Sequence, residues 1–284
     1  MKFSGFILMS FLSLFSSVAL SATFTFTAIP DEDESQLRTR FDKVADYLTE
    51  ELGVEVKYIP VKSYSAAVTA FRNNQVQLAW FGGLSGVQAR RLVPGSEAIA
   101  QGYEDQLFKS YIIAHHSTGL VKSTSFPSLN NYTFTFGSKD STSGRLMPQF
   151  FIESNLGKPV NDIFKRIGFS GDHSRTISQV ESGVYQVGAV NYKVWDNAVE
   201  NGQVDTNKVS VIWESPTYPD YQWTVHEGVD KTYGAGFKDK LTKALIGMTD
   251  KDLLASFPRQ SFVPAQNSDY APIERVATSI GLID

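Results

Sequence analysis

The sequence contains no cysteine. This absence excludes disulfide bonds, thiolate zinc sites, iron–sulfur clusters and a cysteine nucleophile, and also a lipid-anchored bacterial lipoprotein, whose cleavage site requires cysteine. An excess of positive charge is absent too: 26 Lys and Arg stand against 30 Asp and Glu, and no stretch gathers more than a few basic residues. Nucleic-acid binding requires a basic face, so nucleic acid is not expected as the main partner. Hydrophobic residues make up 42% of the 284 residues, which is typical of a globular protein with a real core.

Long apolar runs are confined to the N-terminus. Lys2 supplies a basic start, residues 5–19 are apolar or small, and small residues occupy the −3 and −1 positions for cleavage before Ala22. The run is shorter than the roughly 20 apolar residues that span a bilayer comfortably. We therefore expect residues 1–21 to be a cleaved signal peptide and the rest of the chain to be a soluble periplasmic protein. A buried N-terminal helix or a membrane anchor is the alternative.

Apolar patterning predicts alternating strands and helices in the first part of the chain. Residues 76–81 form an unbroken apolar run, as expected of a strand buried on both faces of a parallel sheet, and two glycines end it. The predicted order is strand 23–29, helix 36–52, strand 54–61, helix 66–72, strand 76–81, helix 84–92 and strand 111–116. This order indicates an open α/β sheet covered by helices.

A second unit with the same alternation begins near Asn131. We predict strands at 132–136, 187–192, 209–213 and 221–226, helices at 145–156, 175–181 and 193–200, and a helical C-terminus at 238–248, 250–257 and 273–280. The fold class is therefore α/β with two lobes. Lobe 1 is expected to comprise residues 22–115 and 225–284, and lobe 2 residues 116–224. In such a protein the ligand lies in the cleft between the lobes, and closure buries it.

A hydroxyl-rich turn is the main candidate for a binding site. Ser141, Thr142 and Ser143 precede Gly144 between a predicted strand and a predicted helix. The first backbone amides of a helix are unpaired and the helix dipole is positive there, so hydroxyls and free amides together make an anion site without a cation. The alternative is an ordinary helix N-cap, for which serine and threonine are among the commonest residues.

Other polar residues give weaker signals. The four histidines lack the spacing of a helix-borne metal pair, so we predict no metal site and no cofactor. His173 is placed in a loop ahead of the helix at 175–181, where it can reach a cleft. The acidic run at 31–34 is most simply a solvated, negative start to the first helix. Phe81 and Tyr64 are aromatic candidates for a cleft wall.

Residues 30 to about 230 resemble the phosphate, phosphite and phosphonate periplasmic binding proteins of ABC importers. The matching stretches are 76–83, 141–148, 170–173 and 213–220, and the Ser-Thr-Ser-Gly turn followed by Pro148 is the most specific of them. The resemblance implies a type II periplasmic binding fold, in which each lobe is a mixed sheet flanked by helices. It also implies that the protein is not an enzyme, that its ligand is a small oxyanion, and that its partner is an inner-membrane permease. We expect a monomer.

The resemblance also implies roles for particular residues. The hydroxyl-rich turn, that is Ser141, Thr142 and Ser143, holds the ligand's oxygens in this family. His173 and Asp220 match the histidine and aspartate that contact the oxyanion, and Tyr64 matches the tyrosine that closes on the ligand. This chain departs from its relatives at Lys109, which is expected to add a cation. It also has Asn191-Tyr192-Lys193 where aminophosphonate binders carry an acidic residue, so a ligand bearing an amine is not expected.

The choice of oxyanion depends on Asp220. An ionised carboxylate can only accept hydrogen bonds, so it suits the P–OH group of a monoprotonated phosphonate, phosphite or phosphate. It would repel fully ionised sulfate or selenate, although the sequence also resembles a subgroup described as selenate-binding. A serine hydrolase that uses Ser141 or Ser143 with His173 and Asp220 is a less favoured alternative, because the chain lacks the GxSxG elbow. A sensor that reports to a membrane partner without transport stays open as well.

Overall fold

A computed structural model describes residues 22–284, except for the side chains of Ala255 and Ser256. The expected signal peptide lies outside these residues. The strands are β1 Phe24–Ala28, β2 Val56–Tyr58, β3 Leu78–Phe81, β4 Glu97–Gly102, β5 Ser110–His115, β6 Thr133–Phe136, β7 Arg166–Phe169, β8 Val187–Asn191, β9 Val209–Glu214, β10 Gln222–Val225 and β11 Phe262–Pro264. The α-helices are α1 Glu34–Leu52, α2 Tyr64–Arg72, α3 Gly83–Leu92, α4 Met147–Leu156, α5 Val160–Ile163, α6 His173–Glu181, α7 Tyr192–Glu200, α8 Val229–Tyr233, α9 Phe237–Ile246, α10 Lys251–Ser256 and α11 Ala271–Ser279.

The strands form two mixed sheets. The first sheet has the order β11-β4-β10-β3-β1-β2, and the second has the order β7-β6-β8-β5-β9. In the first sheet β1 pairs in parallel with β2 and β3, while β10 runs antiparallel to β3. Helices cover the sheets, and an aromatic core that includes Phe26, Phe41 and Trp223 fills the first lobe. The predicted α/β alternation therefore appears in both lobes.

Local sequence explains the ends of the first helix. The side chain of Asp33 accepts a hydrogen bond from the amide of Ser35, which satisfies a free amide in the first turn of α1. The helix stops at Gly53, whose φ of 71° lies in the left-handed region that glycine adopts without strain. Leu37, Phe41 and other apolar residues of α1 face the core at helical spacing.

Two elements of the first sheet differ from expectation. The C-terminal part of the chain is not wholly helical, because β11 pairs antiparallel with β4. Neither strand was predicted. β4 reads EAIAQG and is rich in alanine and glycine, which have low strand propensity, and β11 has only three residues and ends in proline. Pairing with neighbours in the folded sheet, rather than local preference, makes these segments strands.

The division between the lobes also differs from the expected boundaries at 115 and 225. β5 was assigned to lobe 1, yet it pairs with β8 and β9 in the second sheet. β10 begins at Gln222, within the range assigned to lobe 2, and lies in the first sheet. The chain crosses between the sheets at residues 105–110 and 215–220, which pair antiparallel through Phe108 and Tyr218. We call these two paired segments the crossover ribbon.

No helix among residues 22–284 is both long enough and apolar enough to cross a membrane.

Candidate ligand-binding site

The hydroxyl-rich turn connects β6 to a helix that begins at Thr142. The first turn, Thr142–Leu146, is wound as a π-helix, and α4 follows it directly. The hydroxyl of Ser141 accepts the amide N–H of Gly144 at 3.0 Å, so Ser141 is the N-cap. The hydroxyl of Ser143 is buried and has no hydrogen-bond partner among the residues that the structure describes. Neighbouring serines of one turn thus have different roles, and only one of them is explained by capping.

Thr142 and Asp220 join the two lobes at this turn. The Thr142 hydroxyl accepts the amide N–H of Leu84, at the start of α3 in the first lobe, at 2.9 Å. The Asp220 Oδ1 accepts the adjacent amide N–H of Gly83 at 2.8 Å, while its buried Oδ2 has no partner in the described part of the chain. A β-carbon at Gly82 would lie 3.1 Å from Asp220 Oδ1 and 3.2 Å from Thr142 Oγ1, so glycine allows this close approach.

His173 is the first residue of α6 and is fully buried, whereas a loop position had been expected. Its amide N–H donates to the carbonyl of Asp31 across the lobes at 2.9 Å. Its Nδ1 accepts the amide N–H of Asn191 at 3.3 Å, which requires the proton of the neutral ring to reside on Nε2. Burial lowers the pKa of His173 to about 3, so the ring is neutral at physiological pH. Its Nε2–H is therefore a buried donor, and no described residue accepts a hydrogen bond from it.

Several unsatisfied polar atoms converge at the lobe junction. Within residues 22–284, five buried atoms at this junction lack hydrogen-bond partners: Tyr64 Oη, Ser143 Oγ, His173 Nε2, Asp220 Oδ2 and Asp31 Oδ1. A β-carbon on Gly144 would lie 3.0 Å from His173 Cε1, which places the imidazole against the hydroxyl-rich turn. Burial raises the pKa of Tyr64 well above its ordinary value, and the negative charges of Asp31 and Asp220 contribute to the shift. We refer to Tyr64, Ser143, His173 and Asp220 as the polar cluster.

The charges at the cluster come from carboxyl groups. Burial raises the pKa of Asp220 to about 7, although the Gly83 amide and the Thr142 hydroxyl act in the opposite direction. Burial and the neighbouring Glu32 likewise raise the pKa of Asp31 to about 7. The nearby guanidinium of Arg259 is already paired with another carboxylate, that of Asp105, at 2.8 Å. The cluster is thus suited to a ligand that accepts hydrogen bonds from neutral groups and meets a carboxyl group at one side.

Two predicted ligand residues lie elsewhere. The ammonium group of Lys109 bonds to the carboxylate of Glu214, and about a third of each side chain is exposed. Phe81 is fully buried and packs edge-on against Phe71, with ring centroids 5.6 Å apart, in the core of the first lobe. Because successive side chains of a strand point to opposite faces, Phe81 faces away from the side on which Trp80 stacks against Tyr221.

The sequence pattern does not predict that Asp31 is buried at the lobe junction. The acidic run was interpreted as solvated, but Asp31 and Glu32 are both buried. Glu32 forms an ion pair with Arg40 of α1, with 2.7 Å between the guanidinium nitrogen and the carboxylate oxygen. This ion pair turns the acidic segment toward the protein interior before the helix begins. Ile29 and Pro30, directly before Asp31, are the local residues that indicate burial.

A cleft opens at the protein surface near the start of α6. It has a volume of about 330 Å³ and is lined from the first lobe by residues that include Glu32 and Lys62, and from the second lobe by Asp172 and Arg175. Both lobes therefore contribute to this cleft as well as to the polar cluster, although none of the four residues of the cluster lines it.

The geometry does not form a hydrolase triad. In a triad, a carboxylate accepts the Nδ1–H of the histidine, and Nε2 takes the proton of the serine. Here Nδ1 of His173 is itself an acceptor for the Asn191 amide, and Asp220 faces Gly83 instead. A histidine whose pKa is about 3 is also a weak base at neutral pH. The arrangement of His173 and Asp220 thus differs from that of a Ser-His-Asp triad.

Comparison with known proteins gives consistent results. Residues 26–270 match the family described as ABC transporter, phosphonate, periplasmic substrate-binding protein. The chain is 38% identical over 264 residues to the probable ABC transporter phosphite binding protein PhnD1 of Prochlorococcus marinus, covering 90% of this chain and 89% of the relative. It is 25% identical over 207 residues to the phosphonates-binding periplasmic protein of Escherichia coli, covering 68% and 58% of the two chains.

Solved structures are similar as well. The structure of Prochlorococcus marinus PhnD1 in complex with methylphosphonate has a TM-score of 0.88 and 37% identity, covering 92% of this chain and 99% of that one. A binding protein component of an ABC phosphonate transporter from Pseudomonas aeruginosa has a TM-score of 0.79 at 19% identity, covering 90% and 85%. These similarities confirm the predicted two-lobed α/β fold.

Proposed function

Because the chain belongs to the periplasmic substrate-binding proteins of phosphonate ABC transporters, we propose that it captures a small, monoprotonated phosphorus oxyanion between its lobes. Phosphite, phosphate and methylphosphonate are the candidate ligands. The lobes close by rotation at the crossover ribbon, and the closed form delivers the anion to an inner-membrane permease.

The polar cluster is the observation that carries this proposal. Leaving a buried polar group without a partner costs about 1–3 kcal/mol, so a group of such atoms in one place calls for a ligand that pairs with them. Ser143, Tyr64 and the Nε2–H of His173 can donate to the oxygens of an anion. Donors from both lobes then act on one ligand, which makes binding and closure a single event.

Asp220 supports a phosphorus oxyanion over sulfate or selenate. Its pKa of about 7 means that the site readily shares one proton between the carboxyl group and the ligand. Phosphite, phosphate and methylphosphonate hold a proton near neutral pH and can donate it to Asp220 Oδ2. Sulfate and selenate carry no proton there, so they would have to rely on protonation of the buried carboxyl group.

The relatives support the same ligand class. The Prochlorococcus marinus protein is named a phosphite binding protein and was solved with methylphosphonate. An amine-bearing phosphonate is disfavoured at Asn191, since its Oδ1 accepts the amides of Lys193 and Val194 and its Nδ2 donates to Tyr221. The amide thus offers no free negative charge to an ammonium group.

We further infer that residues 1–21 direct export and that the protein acts as a binding protein without catalysis. The apolar run and its small residues before Ala22 support export. The neutral His173, whose Nδ1 accepts a backbone amide, supports the absence of hydrolysis.

Calorimetric titration of the ligand-stripped protein tests the proposal. Phosphite, phosphate, methylphosphonate, sulfate and selenate should be compared in the same buffer at pH 7. We expect at least one phosphorus anion to bind more tightly than sulfate and selenate, and Ser143→Ala to weaken that binding. Tyr47→Phe is the control for a lost hydroxyl, because the Tyr47 hydroxyl bonds to the Ala244 carbonyl far from the cluster. Tighter binding of sulfate or selenate would overturn the assignment of the ligand.

A further inference from the structure

Ser110, in the crossover ribbon, reaches the hydroxyl-rich turn through a buried hydrogen bond. Its hydroxyl donates to the backbone carbonyl of Ser143 at 2.8 Å. The same hydroxyl lies 2.5 Å from the hydroxyl of Tyr218. A carbonyl can only accept and serine has a single hydroxyl proton, so Tyr218 must be the donor to Ser110. The chain of bonds therefore runs in one direction, from Tyr218 through Ser110 to Ser143.

Pro148 explains why the Ser143 carbonyl is available. The first turn is a π-helix, in which the amide of Leu146 donates to the carbonyl of Ser141 and that of Met147 donates to Thr142. The next donor in this register would be residue 148, but proline has no N–H. The buried Ser143 carbonyl would be left without that partner, and the Ser110 hydroxyl replaces it. The combination of the π-turn and the proline thus leaves an acceptor that the Ser110 hydroxyl of the ribbon satisfies.

Tyr218 also connects this chain of bonds to Asp220. Its backbone pairs with Phe108 in both directions, at 2.8 and 3.0 Å, and two residues later the chain presents Asp220 to the cluster. The segment 218–220 of the ribbon therefore positions the Asp220 carboxyl group directly. The same segment positions the Ser143 hydroxyl indirectly, through Ser110.

We propose that Tyr218 and Ser110 are positioning residues that hold Ser143 in its ligand-binding orientation and tie that orientation to the geometry of the crossover ribbon. This inference rests on the proposed function in that the ligand is the anion bound at the polar cluster. When the lobes rotate at the ribbon, the same bonds determine how Ser143 meets the anion.

We call the chain of hydrogen bonds from Tyr218 through Ser110 to Ser143 the relay. A double-mutant cycle with methylphosphonate titrations tests it. Ser110→Ala is expected to weaken binding about tenfold, because the Ser143 carbonyl loses its donor, and Tyr218→Phe about threefold. The double variant should bind no more weakly than Ser110→Ala, because the two hydroxyls act in series. Ser110→Thr, which keeps the hydroxyl, should restore binding to within about threefold of the wild type. The Tyr47→Phe control should stay within about twofold.

A second measurement needs no ligand. Hydrogen exchange of the amides at 142–147 should be faster in Ser110→Ala than in the wild type, while α1 is unchanged. If Ser110→Ala binds within about twofold of the wild type, or if the two single losses multiply in the double variant, the relay is wrong. If the wild type binds none of the phosphorus anions, the proposed function fails instead, and the exchange rates alone decide whether the relay exists.

Discussion

Asp105 and Asp220 are two buried aspartates in the two segments of the crossover ribbon, joined by a backbone hydrogen bond of 2.9 Å from the Asp220 amide to the Asp105 carbonyl. Every carboxylate oxygen of Asp105 has a partner, since Arg259 donates at 2.8 and 2.9 Å and the Gly102 amide at 3.0 Å. Asp220 has one oxygen on the Gly83 amide and one without a partner. Burial raises the pKa of both.

The difference between the two aspartates distinguishes structure from binding. Burial and a raised pKa are common to both, so neither property identifies a ligand site. A satisfied carboxylate that is paired with a buried guanidinium stabilises the junction of the lobes. A buried carboxylate that has one unpaired oxygen and lies beside unpaired donors carries a free-energy cost in the ligand-free protein. A ligand that pairs with these groups removes this cost. Variants at each position should therefore affect different measurements.

Breaking the Asp105 pair should have the largest effect, and it should be on stability. Arg259→Met leaves the buried Asp105 charge without its partner, which typically costs about 3–5 kcal/mol in the free energy of unfolding. Denaturant unfolding at pH 7 measures the loss, and Arg275→Met is the control because Arg275 is exposed. A loss smaller than about 1 kcal/mol would show that the pair contributes no more than a surface pair.

Asp220→Asn should affect binding far more than stability. Asparagine can still accept the Gly83 amide through Oδ1, but its amide nitrogen is a donor where the proposal requires an acceptor for P–OH. Methylphosphonate affinity should fall about a hundredfold, and sulfate should bind more tightly relative to it than in the wild type. Unfolding should change little. Asp33→Asn is the matched control, because asparagine also caps a helix well. An unchanged methylphosphonate affinity contradicts the proposed role.

The hydroxyl-rich turn offers the same contrast between a residue that stabilises the fold and a residue that is proposed to bind the ligand. The Ser141 hydroxyl caps the helix, so Ser141→Ala should lower the free energy of unfolding by about 1 kcal/mol. The Ser143 hydroxyl has no partner, so Ser143→Ala should weaken anion binding about tenfold with little loss of stability. Thermal unfolding without ligand and calorimetry with ligand measure the two effects. Equal stability losses in both variants would remove the distinction between cap and ligand residue.

Binding should depend on pH through Asp220. Burial raises the pKa of Asp220 to about 7 in the ligand-free protein, so the carboxyl group that must accept the P–OH hydrogen bond becomes protonated as pH falls below about 7. His173, with a pKa of about 3, stays neutral throughout this window. Methylphosphonate affinity should be greatest near pH 7 and should fall by up to about tenfold per unit as pH decreases toward 5, because binding of the monoprotonated anion then releases the Asp220 proton. Asp220→Asn should flatten this slope, and a slope that persists in the variant assigns the proton to another group, with Asp31 the first to test.

Within the polar cluster, Ser143 was accessible from a local motif, whereas Tyr64, His173 and Asp220 were assigned through the family resemblance. Ser141 to Ser143 precede Gly144 and Pro148, and that spacing alone indicates a helix start with surplus hydroxyls. The structure brings Tyr64, His173 and Asp220 to the same place, as the resemblance implied. Their roles as ligand residues stay predictions until binding is measured.

Long-range pairing explains what the sequence could not provide. Asp31 looked solvated because acidic runs usually are, and its burial depends on Arg40 turning Glu32 inward. The boundaries of the lobes were misplaced because β5 finds its partners in β8 and β9, which occur much later in the chain. β4 and β11 have weak strand propensity and become strands by pairing within the sheet, β11 with β4 and β4 also with β10.

Lys109 shows the same limit and gives the smallest expected effect. Tyr111 pairs with Glu214 across β5 and β9, and this register brings the Glu214 carboxylate to the Lys109 ammonium group from 105 residues away. A partly exposed pair of this kind contributes about 0–1 kcal/mol, and its cation is already neutralised. Lys109→Gln should therefore change methylphosphonate affinity less than about twofold, as should the control Lys208→Gln, whose lysine pairs with Asp205 on the surface. A tenfold loss in Lys109→Gln alone would mean that the ammonium group leaves Glu214 and contacts the anion when the ligand binds.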